Sequence, residues 1–245
     1  MKDLILALAL LCGALPAIAG ETGCIYELMG TVEVSAPGGK EWRTAAKGRP
    51  VAEGDRIRTS AGSGCEILFK DGTFIKMDEN ADLSMEGLKA SKQARTFSFS
   101  FLRGKALWMA AKLRGKVLSK FTVRTPSAVC AVRGTDFSIL VSTAAGETSI
   151  GLFDGKVAVS GAGTEKELLA GGEASASAGS LTVEGRLSKL MKAEEKRYSR
   201  VKGRVEALRK RLKERDAFID EYIGRQQKKI SDYDARREQK LKGRK

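Results

Sequence analysis

From Ile25 to Phe153 the chain is a succession of short apolar runs broken by glycine-rich turns at intervals of about eight to twelve residues. Runs this short bury a face only as strands, because an amphipathic helix needs ten or more residues to present one. The clearest lie at 25–34, 56–59, 65–69, 73–77, 97–101, 105–110, 121–124, 128–132, 137–141 and 148–153. Within the fifth, Phe97, Phe99 and Phe101 alternate with Ser98 and Ser100, which puts three rings on one face of a strand and two hydroxyls on the other. Asp71-Gly72 and Asp154-Gly155 each separate two apolar runs and predict two tight hairpins. The expected body is all-β, as a sandwich or roll or as a solenoid-like stack. Two faint echoes, 30–35 repeated at 155–160 and 59–63 at 176–180, suggest equivalent positions in two similar sheets.

This pattern stops near Glu184. Beyond it proline vanishes, glycine becomes scarce, and 22 Lys and Arg stand against 11 Asp and Glu, so the tail carries +11 of the total +14. Residues 184–235 read as one basic helix. Met191, Tyr198, Val205, Leu212 and Ile219 recur every seven residues, with Leu187, Val201, Leu208 and Tyr222 as the second line of the seam. Glu194 and Arg215 are its polar exceptions. A heptad seam of this length predicts a coiled coil, either joining copies of the chain or folding back onto the body. Residues 236–245 are expected to be a disordered basic tail.

At the other end, Lys2, the apolar run 4–11 and Ala17-Ile18-Ala19 form a secretory signal peptide, with cleavage expected after Ala19. The mature body, residues 20–183, would then work in the periplasm or cell envelope. Three cysteines would remain, Cys24, Cys65 and Cys130. Cys65 and Cys130 sit in small-residue strand positions that suit buried apolar side chains, and one disulfide of unspecified pairing is compatible with the compartment. Trp108 lies in a strand and is expected in the core. Trp42 follows a glycine-rich turn and suits either a core lid or an exposed anchor.

One stretch, FTVRTPSAVCAVRGTDF at 121–137, followed by SILVS and then FDGKVAVSG, is more specific than its neighbours. Pro126 belongs at a strand corner. Arg133, Gly134, Thr135 and Asp136 make a sharp link between two strands, and two roles for it are open: a recognition pair at a domain edge, or an internal salt bridge with Asp136 capping the turn. The run resembles the central motif of FecR-type domains, extracytoplasmic β-domains best known from iron-uptake sensors. The segment 30–85 is similar to the opening half of that domain, so the likeness extends over 26–183. In the sensor regulators of the family a cytoplasmic segment and a membrane helix precede the domain. Here the FecR-like part follows the leader directly, which implies an exported form without those parts.

No enzyme is expected. The chain has no histidine, which removes Ser-His and Cys-His nucleophile pairs, and no glycine-rich phosphate loop precedes a helix. The MDENAD run at 77–82, with Asp78, Glu79 and Asp82, lacks the ligand spacing of a calcium loop and reads as a solvated turn, so neither a metal nor a cofactor is expected. The reading that follows is a non-enzymatic binding or scaffold module whose partner is an envelope protein. Two other classes stay open: a signal-transduction component, implied by the family resemblance, and an adhesin whose basic helix holds an anionic surface or polymer. Nucleic acid is not expected as a partner, because an exported chain does not meet it.

Overall fold

The computed structural model describes residues 22–91, 94–112, 118–142 and 146–242. The leader expected at 1–19 lies outside them. Among these residues, seventeen strands and one helix follow in chain order. The first eight strands are β1 (Gly23–Met29), β2 (Val32–Ser35), β3 (Arg43–Thr44), β4 (Pro50–Val51), β5 (Arg56–Thr59), β6 (Gly64–Phe69), β7 (Phe74–Met77) and β8 (Asp82–Ala90). The long β9 (Ala94–Met109) comes next. After it come β10 (Leu118–Arg124), β11 (Val129–Val132), β12 (Asp136–Val141), β13 (Thr148–Asp154), β14 (Lys156–Gly161), β15 (Thr164–Leu169), β16 (Glu173–Ala176) and β17 (Leu181–Glu184). The helix α1 spans Lys189–Lys242 and so continues through much of the stretch that composition marks as tail.

The strands form two sheets packed face to face, which decides for the sandwich over the solenoid. Sheet I runs β4-β1-β6-β7-β9-β12-β13-β16-β17. Sheet II runs β3-β2-β5-β8-β9-β10-β11-β14-β15. Among the described strands only β9 and β10 run parallel. Strand β9 belongs to both sheets. Its first half pairs with β8 and β10, its second with β7 and β12. The sequence reads 97–101 and 105–110 as two strands. They are one, bent at Gly104, where φ is +90° and a Cβ would strike the backbone of Ala81.

The same device corrects two further expectations. The run 25–34 is two strands, because Gly30 (φ +70°) turns the chain from sheet I into sheet II against Ser63. Asp154-Gly155 is not a hairpin. Strand β13 pairs within sheet I and β14 within sheet II, so the dipeptide is a corner from one layer to the other. Asp71-Gly72 does close the expected hairpin between β6 and β7. Of the internal echoes, 30–35 and 155–160 overlap β2 and β14, each one strand in from an edge of sheet II and on opposite sides of β9. The other echo joins the two sheets at 59–63 but turns a hairpin within sheet I at 176–180.

The core lies between the layers. Phe97, Phe99 and Phe101 point inward from β9 as their alternation predicts, and Phe69, Phe121 and Trp108 meet them. Trp108 is fully buried and stacked on Phe137, with ring centroids 6.0 Å apart. Trp42 is half-buried under the Arg58 guanidinium at 4.0 Å. Cys65 and Cys130 are buried free thiols, and burial pushes both up to about 12.

Candidate functional site

The tail helix lies across the outer face of sheet I. Ser188 caps it: the Met191 amide donates to Ser188 Oγ at 3.2 Å, while the Ser188 amide donates to Glu173 Oε2 at 2.7 Å. Behind this cap the seam residues turn toward the sheet. Leu187 and Met191 are buried, and Met191 rests on β13 at Gly151, where a Cβ would stand 2.8 Å from the Met191 sulfur. Tyr198 and Val205 join Leu68, Phe74, Leu107 and Met109 in a second apolar cluster, with Tyr26, Phe153, Val201, Leu208 and Leu212 around it. Tyr198 stacks on Phe153 with centroids 5.2 Å apart. Of the two partners open to the seam, another copy or the chain's own body, it meets the body, packing on sheet I as far as Leu212. The side chains of Ile219 and Tyr222 lie outside the described residues.

Charged groups flank this seam. Arg197 forks onto Asp78 in two short hydrogen bonds and touches Glu194 at 3.3 Å. Lys105 of β9 bridges Asp78 at 3.1 Å and Glu194 at 2.7 Å, closing a four-membered network between helix and sheet. One heptad later Arg204 grips Glu66 through two bonds of 2.8 and 2.7 Å, beside Lys76 at 2.6 Å. Arg209 donates to the carbonyls of Gly72 and Met109, both at 2.8 Å. Burial works against the charges of Asp78 and Glu66. The hydrogen bonds from Arg197, and from Arg204 and Lys76, outweigh it, and both carboxyls sit below their ordinary range. Lys105 is likewise raised once its two carboxylate partners overcome burial.

The RGTD link is the corner at which the chain passes from β11 in sheet II to β12 in sheet I. Gly134 holds φ +63°, and Thr135 packs against Gly155 of the opposite corner, where a Cβ would collide with it. Asp136 does not pair with Arg133. It is buried, and its Oδ2 accepts the Tyr198 hydroxyl at 2.9 Å, while its Oδ1 has no partner. Burial is the main reason its carboxyl sits above the usual range. Arg133 is exposed and makes no ion pair among the described residues. The structure thus separates the four: Gly134 and Thr135 shape the corner, Asp136 anchors the helix, and Arg133 faces solvent.

Several members of this site escaped the sequence reading. Asp78 is no solvated turn residue but the hub of the helix contact. Asp55 caps the turn at Ala52 and pairs with Arg49, and Asp82 holds Arg56 in a fork of two 2.7 Å bonds. Arg197 and Arg204 each precede a seam residue, Tyr198 and Val205, by one position and stand seven apart. That is the signal by which they were detectable. Glu194, an exception in the seam, is explained by Lys105. Next to the network lies an open cleft of about 680 Å³, lined by Met29, Ser63, Met77, Leu140 and Val141 around Asp78 and Arg197.

Fold and site together define a two-layer β-domain with its own C-terminal helix clamped over one layer. The family model described as FecR protein matches residues 55–158, from just before β5 into β14. The match includes β9 and the RGTD corner but not α1. No curated protein matches the chain. It is similar to two crystal structures of a candidate anti-sigma factor from Parabacteroides distasonis ATCC 8503, at 18% identity and a TM-score of 0.45, covering 54% of this chain. It spans 59% of the length of that protein.

Proposed function

We propose that this is an exported, non-enzymatic binding module of the bacterial cell envelope, whose FecR domain engages another protein and whose helix rigidifies that domain. The observation that carries this reading is where the polar groups go. The ionisable side chains gathered at the helix–sheet contact pair with one another, leaving a binding surface rather than a nucleophile with its base. The surface best suited to a protein partner is the cleft beside the Asp78–Arg197 pair, where Met29 is 66% exposed beside buried Met77 and Val141. A photo-crosslinking residue at position 29 is expected to capture one discrete envelope protein, and the capture is expected to fail in a Ser63→Arg background that fills the cleft. Capture unaffected by Ser63→Arg, or no capture, overturns the reading.

The FecR match favours a second role, in which the domain acts in signal transduction on a regulator encoded elsewhere. Deletion would then leave a defined set of genes constitutively on or off. Unchanged transcription in the deletion strain removes it. No helix among the described residues is long and apolar enough to cross a membrane.

A further inference from the structure

The face of sheet II turned away from the core carries a line of cations that no other feature of the fold explains. Register places them side by side. Lys89 stands opposite Thr96 on β9, and Thr96 opposite Lys120 on β10. Phe121 is paired with Val132 and Val132 with Val157, so Lys120, Arg133 and Lys156 follow one another across β10, β11 and β14. Each of these five residues neighbours a buried one in its strand (Leu88, Phe97, Phe121, Val132, Val157), and each is exposed. At a strand spacing of about 4.8 Å the line is roughly 19 Å long. Lys89, Lys120 and Arg133 make no ion pair among the described residues. Lys156 meets only Glu167, in an exposed pair at 2.9 Å.

We propose that this line is a binding site for a linear acidic polysaccharide. Like charges gathered in one line repel one another unless a counter-charge of the same shape lies along them. The shape is one-dimensional. The next row of the face is a shelf of small side chains, Ser98, Thr122, Ala131 and Ala158, with Glu86 and Glu167 at its ends. A flat anionic membrane laid on this face would press both glutamates against its own charge, whereas a polymer lying along the cations clears Glu86 and meets only Glu167, whose charge Lys156 already offsets. Nucleic acid would want aromatic stacking platforms. The aromatic side chain on this face, Trp42, is already covered by Arg58. Hydroxyls at Thr96, Ser98 and Thr122 complement a polymer of sugars with one carboxylate per ring. Arg133, which the helix contact leaves idle, stands in the line between Lys120 and Lys156. This proposal is independent of the protein-binding reading above and uses the opposite face of the domain.

The test is equilibrium binding of the full mature chain to polygalacturonate, with polyphosphate and phosphatidylglycerol/phosphatidylcholine vesicles as alternative probes. The triple variant Lys120→Gln/Arg133→Gln/Lys156→Gln is expected to weaken binding by about tenfold or more and to lower the dependence of log K on log salt by about two to three. A variant that removes the same charge from the helix, Lys192→Gln/Lys196→Gln/Lys213→Gln, is expected to stay within about twofold of the parent. Arg133→Lys, which keeps the charge, should bind as the parent does. Equal losses in the two triple variants would show that net charge alone, carried mainly by the helix, does the binding, and would overturn the site. An unaffected sheet triple, or tighter binding of polyphosphate or vesicles than of polygalacturonate, would overturn it as well.

Discussion

Asp136 shows how one buried carboxylate ties a corner of the β-domain to the helix. Among the described residues its side chain has one hydrogen-bond partner, the Tyr198 hydroxyl, and it meets almost no solvent. Tyr198→Phe keeps the ring on Phe153 but removes that donor, and a buried charge left without its partner costs about 1–3 kcal/mol. The thermal midpoint of Tyr198→Phe should fall accordingly. Asp136→Asn, whose amide oxygen still accepts from Tyr198 without a charge to desolvate, should hold the midpoint or raise it slightly. A larger loss in Asp136→Asn than in Tyr198→Phe would show that the negative charge itself is needed at this corner.

At the scale of the element, α1 is held by two kinds of contact laid side by side. Its apolar seam buries Met191, Tyr198 and Val205 on sheet I, at about 1.5–3 kcal/mol for each large aliphatic side chain. Its flanking arginines meet Asp78 and Glu66. Asp78→Ala strands Arg197 and Lys105 in a partly buried place and should cost about 3 kcal/mol. Arg197→Ala should cost a similar amount, and the double variant much less than the sum of the two. Chemical denaturation of the four proteins measures the coupling, and additive losses would mean that the pair does not bind the helix to the sheet. A seam spent on its own sheet is also unavailable to a second copy, because an intramolecular partner carries no loss of translational freedom. Static light scattering should therefore give a monomer whose helicity survives dilution. Cutting the chain after Glu184 bares Phe74, Leu107 and Met109, and the shortened protein should aggregate or bind a hydrophobic dye.

Acid acts on the whole molecule through carboxylates that pull in opposite directions. Asp78 and Glu66 are depressed in the folded state, so their contribution is complete above the ordinary values of 3.8 and 4.5 and is lost as pH falls through their lower folded values. Asp136 is raised, so over the window just above 3.8 the folded chain binds a proton there more readily than the unfolded one, and stability gains as pH falls. The melting temperature should hold or rise slightly on approach to pH 4 and then drop steeply. In Asp136→Asn the first phase should vanish and the second remain. A monotonic fall from neutrality in the parent would contradict this assignment.

Much of this was legible in the sequence, since alternation in a strand and a seven-residue repeat in a helix are local patterns, each imposed by the geometry of one element. Phe97, Phe99 and Phe101 declared their inward face, Asp71-Gly72 its hairpin, and Leu187 to Leu212 the stripe that needed covering. What covers that stripe was not legible. An apolar seam states that it must be buried but carries no mark of its partner, and the partner here is the outer face of a sheet whose strands lie from about 40 to more than 130 residues away in the chain. For the same reason Gly30 was hidden inside the run 25–34 and Gly104 and Gly155 read as breaks between strands, although each of the three passes the chain between layers, because a positive φ sets the local bend and only the packed sheets decide where the strand goes next. The fates of Arg133 and Asp136 were settled at that level too. Three residues apart and opposite in charge, they suggested a pair, and the corner between the two sheets turned one toward the helix and the other toward solvent.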